Sequence, residues 1–254
     1  MLFLLLTSAL MLIIVALIHN VMSAALSNLI YSSRLSRVVF KLSTIIGTPI
    51  HELSHAIACV LFGHKITGIK LLDLSFSNTT LGYVNHSWNT RSVYQSIGCF
   101  FIAIAPLFTA SAIVYFAFVH NQGPRTIHYP NNIDIQQAIW IVLFNAVSQV
   151  VDWILASTQN IGSSGKLIIV SLICFHCIPS KTDFHNAAKG SMIVAIVTIA
   201  LFTLGLLAKD LGFNVLLRQY HFIDLLNVLT LTASVMFLAQ LFWLMLALIA
   251  KLSP

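Results

Sequence analysis

The sequence predicts a membrane protein that is mainly α-helical, with six to seven transmembrane helices and a short β-hairpin. Hydrophobic residues make up 58% of the 254 residues and charged residues only 8%, whereas an average soluble protein has about 25% charged residues. With a mean hydropathy of +0.93, a water-soluble fold of this length would leave a large apolar surface exposed. The polar stretches are too short to fold separately, so we predict a single integral-membrane domain over residues 1–254.

The charge pattern excludes nucleic-acid binding. The formal net charge is +6, but the 13 Lys and Arg residues are scattered and form no basic run. They divide almost evenly between the two sides of the predicted topology, so the orientation in the membrane stays open. The four cysteines lie in apolar segments, where a thiol behaves as a small hydrophobic side chain, and we expect no disulfide framework.

The first two apolar runs predict helices of different character. Residues 2–29 lack the basic start and cleavage site of a signal peptide, so we expect a retained transmembrane helix, with its connection, in residues 1–36. The second run extends from Val38 to Phe62. Within it, Thr48 as N-cap and Pro49 at the first helical position predict a helix start, with a break or kink at Gly47.

The polar interval 64–92 predicts a β-hairpin. Leu72, Leu74 and Phe76 alternate with polar residues, and a turn over residues 78–80 follows before the sequence Leu-Gly-Tyr-Val at residues 81–84. The remaining apolar runs cover residues 93–119, 138–156, 166–178, 191–208 and 222–250. The run 166–178 is short, because a crossing needs about 20 residues. We place the functional core in residues 37–189 and two C-terminal transmembrane helices in residues 190–254.

One motif carries chemistry, the HExxH sequence from His51 to His55. On a helix the two histidines lie on one face, where their imidazoles can bind one Zn²⁺. Glu52, the single Glu of the chain, is then placed to deprotonate a water in the open metal position. With ten His and one Glu, chance would produce about 0.0015 such motifs.

The third metal ligand stays open at the level of the motif. Metzincins place a His six residues after the motif, where this chain has Leu61, and gluzincins use a second Glu, which the chain lacks. An Asp, His or Cys must therefore complete the site. Asp183, His176 and Asp152 are the candidates.

Four further polar residues are candidates for contacts with a substrate. Asn85 and His86 follow the predicted hairpin and could hold a substrate strand or an oxyanion, although Asn85 could equally serve a turn. Asn145 and Gln149 share a helical face with Asp152. Hydrogen bonds between helices are the first interpretation of that face, and a polar lining that admits water or grips the substrate is the second.

The chain resembles the site-2 protease class of intramembrane zinc metalloproteases, in order over residues 49–189. Members carry HExxH in a core helix, then a β region ending in Gly-Gly-Tyr-Val, which Leu81–Val84 resembles. A core helix with a Gly-Pro turn follows, matched by Ile104–Leu107, and then a proline-rich segment whose Asp is the third zinc ligand. Ile178–Asp183 resembles that segment, so the resemblance implies Asp183 as the ligand.

The sequence therefore predicts an intramembrane zinc metalloendopeptidase with one Zn²⁺ per chain. Its expected substrates are peptide bonds in transmembrane or membrane-proximal segments of membrane proteins or peptides, and its expected partner is the lipid bilayer. The first alternative is a non-proteolytic zinc-binding membrane protein, such as a pseudoprotease, chaperone or sensor, against which an intact Glu52 argues. A transporter with an incidental motif is the second. We expect a multi-pass integral membrane protein, with a bacterial plasma membrane slightly favoured.

Overall fold

The computed structural model describes residues 2–73, 81–119, 134–157, 159–210 and 219–252, and these are mostly helical. The helices are α1 (Leu2–Ser32), α2 (Arg34–Leu61), α3 (Val93–Val114, continued by a π-helical turn over Tyr115–Val119), α4 (Ile135–Ser157), α5 (Ile161–His176), α6 (Lys181–Asp210) and α7 (Gln219–Leu252). Each apolar run that predicted a helix is covered by one of these segments, except for at most two residues at its C-terminal end.

Three helical segments of the described chain are long and apolar enough to cross a membrane. They are Arg34–Leu61, Val93–Ala117 and Val228–Met245, and a fourth is added if Ile161–His176 and Lys181–Val197 together count as one broken span. These segments are consistent with a membrane protein. The predicted number of six to seven crossings is not confirmed.

The second helix, α2, places its polar residues inward and its apolar residues outward. Leu42, Ile46, Leu53, Ile57 and Val60 recur at helical spacing and are all exposed. On the other side Thr48, Glu52 and His55 are buried. This pattern is opposite to that of a helix on a soluble protein and fits a helix whose outer face meets lipid.

The predicted break at Gly47 is not present, because α2 continues through Gly47 and Pro49. In an apolar environment every backbone N–H and C=O group needs a partner, which favours a continuous helix over an interrupted one. Gly47 has another role. A Cβ at this position would lie 2.4 Å from the His176 ring, so the glycine allows that side chain to pack on the helix.

The predicted hairpin is present, with strands that begin and end at other residues. β1 (Lys65–Lys70) pairs antiparallel with β2 (Tyr83–Ser87), and a bulge shifts the register between Ile66 and Gly68. The first strand therefore lies before Leu72. Leu74 and Phe76 lie outside the described residues.

Two compact units make up the described chain, each with its own buried cluster. The first unit draws on residues 1–47, 109–178 and 223–254. In it Trp243 packs against Phe40 and Phe175, with ring centroids 5.6 and 5.7 Å apart. Gln240, one turn before Trp243, donates a hydrogen bond to the Val15 carbonyl and so ties α7 to α1.

The second unit contains the predicted chemistry. It draws on residues 48–108 and 179–222, and its core includes Cys59, Ile102 and Ala105. It therefore holds the HExxH part of α2, the hairpin, α3 as far as Phe108, and α6. The predicted single membrane domain and the predicted core over residues 37–189 stay predictions.

Candidate metal centre

The two histidines of the motif face each other on α2. Their Nε2 atoms lie 3.0 Å apart, and their side chains are 12% and 9% exposed for His51 and His55. The spacing of four residues places both imidazoles on one side of the helix, as the sequence predicts.

A backbone contact determines which nitrogen of His55 is available. Its Nδ1 lies 2.7 Å from the Ile102 carbonyl oxygen on α3. A carbonyl only accepts, so Nδ1 carries the proton and a neutral ring presents a lone pair at Nε2. This is the outer hydrogen bond that orients metal-binding histidines.

Asp183 completes the group from the first turn of α6. Its Oδ1 lies 3.3 Å from His55 Nε2, and its Oδ2 lies 3.6 Å from His51 Nε2. The carboxylate is 13% exposed. Two histidines from α2 and one carboxylate from α6 thus converge, although they are far apart in sequence.

The donor atoms of these three residues fit a metal ion. They all lie within 4.8 Å of one another, and no other group of three such side chains occurs among the described residues. The Nε2 lone pair of His55 points to the Nε2 of His51 and to a carboxylate oxygen, so a proton or a cation must separate them. A metal bound to both imidazoles and the carboxylate satisfies all three.

Glu52 lies beside this group in a buried setting. It is 8% exposed and interacts electrostatically with His51, His55 and Asp183. Gly82, just before β2, packs directly against it. A Cβ on Gly82 would lie 2.8 Å from Glu52 Cγ and 2.9 Å from the Leu71 carbonyl oxygen. The loop end of the hairpin therefore packs onto Glu52 only because residue 82 has no side chain.

The alternative third ligands, His176 and Asp152, belong to the first unit. His176 packs on Gly47 in the first unit, and its Nε2 lies 2.9 Å from Ser43 Oγ. Asp152 is exposed on α4. Neither residue belongs to the group that could hold a metal.

His86 and His64 form a second histidine pair. His64 Nε2 lies 2.7 Å from the Gln95 carbonyl oxygen, so it donates, and His64 Nδ1 then accepts from His86 Nδ1 at 2.9 Å. The free Nε2 of a neutral His86 is an acceptor. Burial, together with the nearby charges of His64, His55 and Lys189, lowers the pKa of His86 to about 4, so the ring is neutral near pH 7. It can accept from a substrate N–H but cannot donate to an oxyanion.

The structure describes the surroundings of the other predicted contact residues less completely. Asn85 is exposed on β2 and lies opposite Gly68 of β1. Adjacent strand residues point to opposite faces, so Asn85 and His86 cannot serve one contact together. Asn145 and Gln149 lie in α4, but their side chains are outside the described part of the structure. Their roles stay predictions.

Sequence reasoning missed three residues that support the centre. Ser180 caps the helix that carries Asp183, and the pattern Ser-x-x-Asp before an apolar run was a readable signal for it. Gly82 lets the backbone approach Glu52 closely, and the Ile102 backbone carbonyl accepts a hydrogen bond from His55. No sequence pattern marks a carbonyl as a partner, so Ile102 could not have been found.

No protein-family model, no curated protein and no solved structure matches this chain.

Proposed function

We propose that this chain is an intramembrane zinc metalloendopeptidase that hydrolyses peptide bonds in transmembrane or membrane-proximal segments. One observation carries the proposal: Asp183 converges with His51 and His55, and these two histidines lie on a helix that is itself a candidate membrane span. The resemblance of the motif, the hairpin and the Asp183 segment to site-2 proteases supports the same function.

Zinc is the metal that this donor set suits best. Catalytic zinc sites combine three protein ligands, drawn from His, carboxylate and Cys, with one open position. Two imidazoles and one carboxylate from this chain leave that position free. When bound, zinc would supply a Lewis acid that activates water and polarises the scissile carbonyl.

The protein's own residues account for the proton transfers. Glu52 follows His51 directly and is the one general base that the motif supplies. It takes a proton from the attacking water as the new C–O bond forms, and it returns the proton to the amine as the C–N bond breaks. The Ile102 carbonyl holds His55 in the tautomer that binds metal.

The hairpin offers a way to present an extended substrate. β1 and β2 form a two-stranded sheet in the described chain, and Gly82 brings its loop end against Glu52. A substrate segment that leaves its helix can pair with a strand edge through main-chain hydrogen bonds, which tolerate many sequences. Its backbone would then lie beside the base.

The test combines metal content with cleavage in proteoliposomes. Purified wild type, E52Q, H55A and D183A are analysed for metal by mass spectrometry, and each is reconstituted with a panel of single-span membrane proteins whose fragments are mapped. We expect about one zinc per chain in wild type and E52Q and a loss of zinc in H55A and D183A. Cleavage should fall at least about 100-fold in E52Q.

Three results would contradict the proposal. If the wild-type protein binds no metal after zinc is added, the proposed metal site is wrong. If E52Q cleaves as fast as wild type, the proposed role of Glu52 as the base is wrong. Zinc bound by wild type without cleavage of any panel member would favour the non-proteolytic alternative. Inhibition by a chelator, reversed by zinc, is the matching control on the wild-type protein.

A further inference from the structure

The carboxylate of Asp183 also belongs to a capping box at the start of α6. Helix α6 begins at Lys181, so Ser180 is its N-cap and Asp183 its third residue. The Asp183 N–H donates to Ser180 Oγ at 3.2 Å, and the Ser180 N–H donates to Asp183 Oδ2 at 2.7 Å. This is the reciprocal pair of a capping box. A third bond, from the Ser180 hydroxyl to Asp183 Oδ2, also measures 2.7 Å.

In the capping box the two carboxylate oxygens of Asp183 have different partners. Oδ2 accepts two hydrogen bonds from Ser180, which fixes the side-chain rotamer. Oδ1 makes neither of these bonds and lies 3.3 Å from His55 Nε2. Both oxygens face the histidines, with Oδ2 3.6 Å from His51 Nε2, but only Oδ1 is without a bond to Ser180, so Oδ1 is the oxygen best presented to a shared metal. Hydrogen bonds that orient a ligating carboxylate strengthen metal binding.

A second contact sets the distance between α6 and its neighbour. A Cβ on Gly190 would lie 2.5 Å from the Ser96 carbonyl oxygen and 2.9 Å from the Phe100 nitrogen, both on α3. The two helix backbones can approach this closely only with glycine at residue 190. Asp183 precedes Gly190 by two turns, which places the two residues on the same face, about 10 Å apart along the helix.

We propose that Ser180 and Gly190 are the positioning residues of the metal centre. Ser180 holds the rotamer of Asp183, and Gly190 holds α6 against α3, which also supplies the Ile102 carbonyl to His55. The inference rests on the metal site of the proposed function and does not depend on its hydrolytic step. Metal affinity is therefore the quantity that tests it.

Competition with a zinc chelator on the full-length protein in nanodiscs measures that affinity. We expect S180A to bind zinc about 10- to 100-fold more weakly than wild type, the usual effect of removing an outer-shell partner. S180T should restore most of the affinity, because its hydroxyl can make the same bonds. S180G is the sharper variant, since glycine keeps most of the stability of an N-cap but has no hydroxyl.

Two matched controls separate positioning from general damage to a helix. Asn160 caps α5, and its Oδ1 accepts from the Ser163 N–H at 2.7 Å, with no metal ligand attached. N160A should therefore leave the zinc affinity within twofold of wild type. G190A should weaken zinc binding, whereas G165A should not, because a Cβ on Gly165 would meet nothing within 4 Å.

Cobalt provides a readout that loss of stability alone would not change. The visible absorption of bound Co²⁺ reports its coordination geometry, so a displaced carboxylate should alter the spectrum of S180G and G190A at saturating metal. The spectra of N160A and G165A should match that of wild type.

The outcomes for this inference and for the proposed function are distinct. If wild type binds zinc and neither S180G nor G190A changes the zinc affinity or the cobalt spectrum, the positioning roles are wrong, and the proposed function is unaffected. Weakened binding in these variants supports the inference even where no substrate is cleaved. Wild type without zinc overturns the inference and the proposed function together.

Discussion

At the scale of single residues, Gly82 separates metal binding from hydrolysis. An alanine there would bring its Cβ to 2.8 Å from Glu52 Cγ, and none of the three atoms nearest to that Cβ belongs to a metal ligand. We expect Gly82→Ala to displace the base and to lower kcat about 100-fold, since a displacement of about 1 Å can cost that much. Zinc content measured by mass spectrometry should stay at the wild-type value.

Gly68 supplies the control for this prediction. It lies on β1 of the same hairpin, and a Cβ there would make only ordinary contacts, with Tyr83 Cε2 nearest at 3.6 Å. Gly68→Ala should therefore keep most of the activity. Equal losses of kcat in the two variants would show that the hairpin tolerates no side chain anywhere, and the specific role of Gly82 would be wrong.

His86 makes the stability of the protein depend on pH. Burial holds its pKa at about 4 in the folded protein, below the ordinary value of 6.5. Between these values the unfolded chain binds more protons at this residue than the folded chain does. The contribution of a neutral His86 to stability is therefore fully present above pH 6.5 and is lost as the pH falls towards 4.

The midpoint of thermal unfolding in detergent, measured at pH 7.5 and pH 5, checks this prediction. His86→Gln should lose less stability on acidification than wild type does. His185→Gln, which changes an exposed histidine of α6, should behave as wild type. An identical pH dependence in all three proteins would contradict the role of His86.

Residue by residue, the sequence was informative where chemistry sets a fixed spacing. The HExxH motif determined which face His51 and His55 share, because four residues make about one helical turn. The motif left Asp183 open among three candidates, and only the resemblance favoured it. His176 is not part of the metal group, and it packs on Gly47, a contact between distant segments that no local pattern encodes.

At the scale of elements, Gly47 shows how a packing residue can resemble a helix breaker. The sequence Gly47-Thr48-Pro49 favoured a helix start, but α2 continues and the glycine makes room for the His176 ring. The first strand of the hairpin was misplaced for a related reason. The alternation at residues 72–76 was a local signal, whereas pairing with residues 83–87 selects Lys65–Lys70. The start of α6 was also missed, because a capped helix can begin with polar residues.

The role of Gly47 gives a prediction of opposite signs for two glycines. Gly47→Ala would bring a methyl group to 2.4 Å from the His176 ring and should lower the free energy of unfolding by about 1–3 kcal/mol, the usual cost of overpacking. Gly165→Ala, in the open part of α5, should raise it by about 0.5–1 kcal/mol, because alanine favours the helix. Denaturant titration in mixed micelles measures both. Stabilisation by both substitutions would show that His176 does not pack on α2.

At the scale of the whole molecule, the metal would tie distant parts of the chain together. His51 and His55 lie on α2 and Asp183 on α6, with the hairpin and helices α3 to α5 between them in sequence. A ligand that binds only the folded state stabilises it by about 2.7 kcal/mol at a free concentration 100 times its Kd. Zinc should therefore raise the Tm of metal-free protein, as measured by tryptophan fluorescence in detergent.

Two aspartates make this prediction specific. Asp183→Ala should abolish the rise in Tm with zinc, because a pair of histidines alone binds the ion much more weakly. Asp152→Ala removes a carboxylate that is exposed on α4 and outside the metal group, so its Tm should rise with zinc as in wild type. The reverse pattern would transfer the third ligand to Asp152, and α6 would then have no part in the metal centre. Calcium at the same concentration should leave every Tm unchanged, because a site with two imidazole ligands does not suit a cation that binds through oxygen.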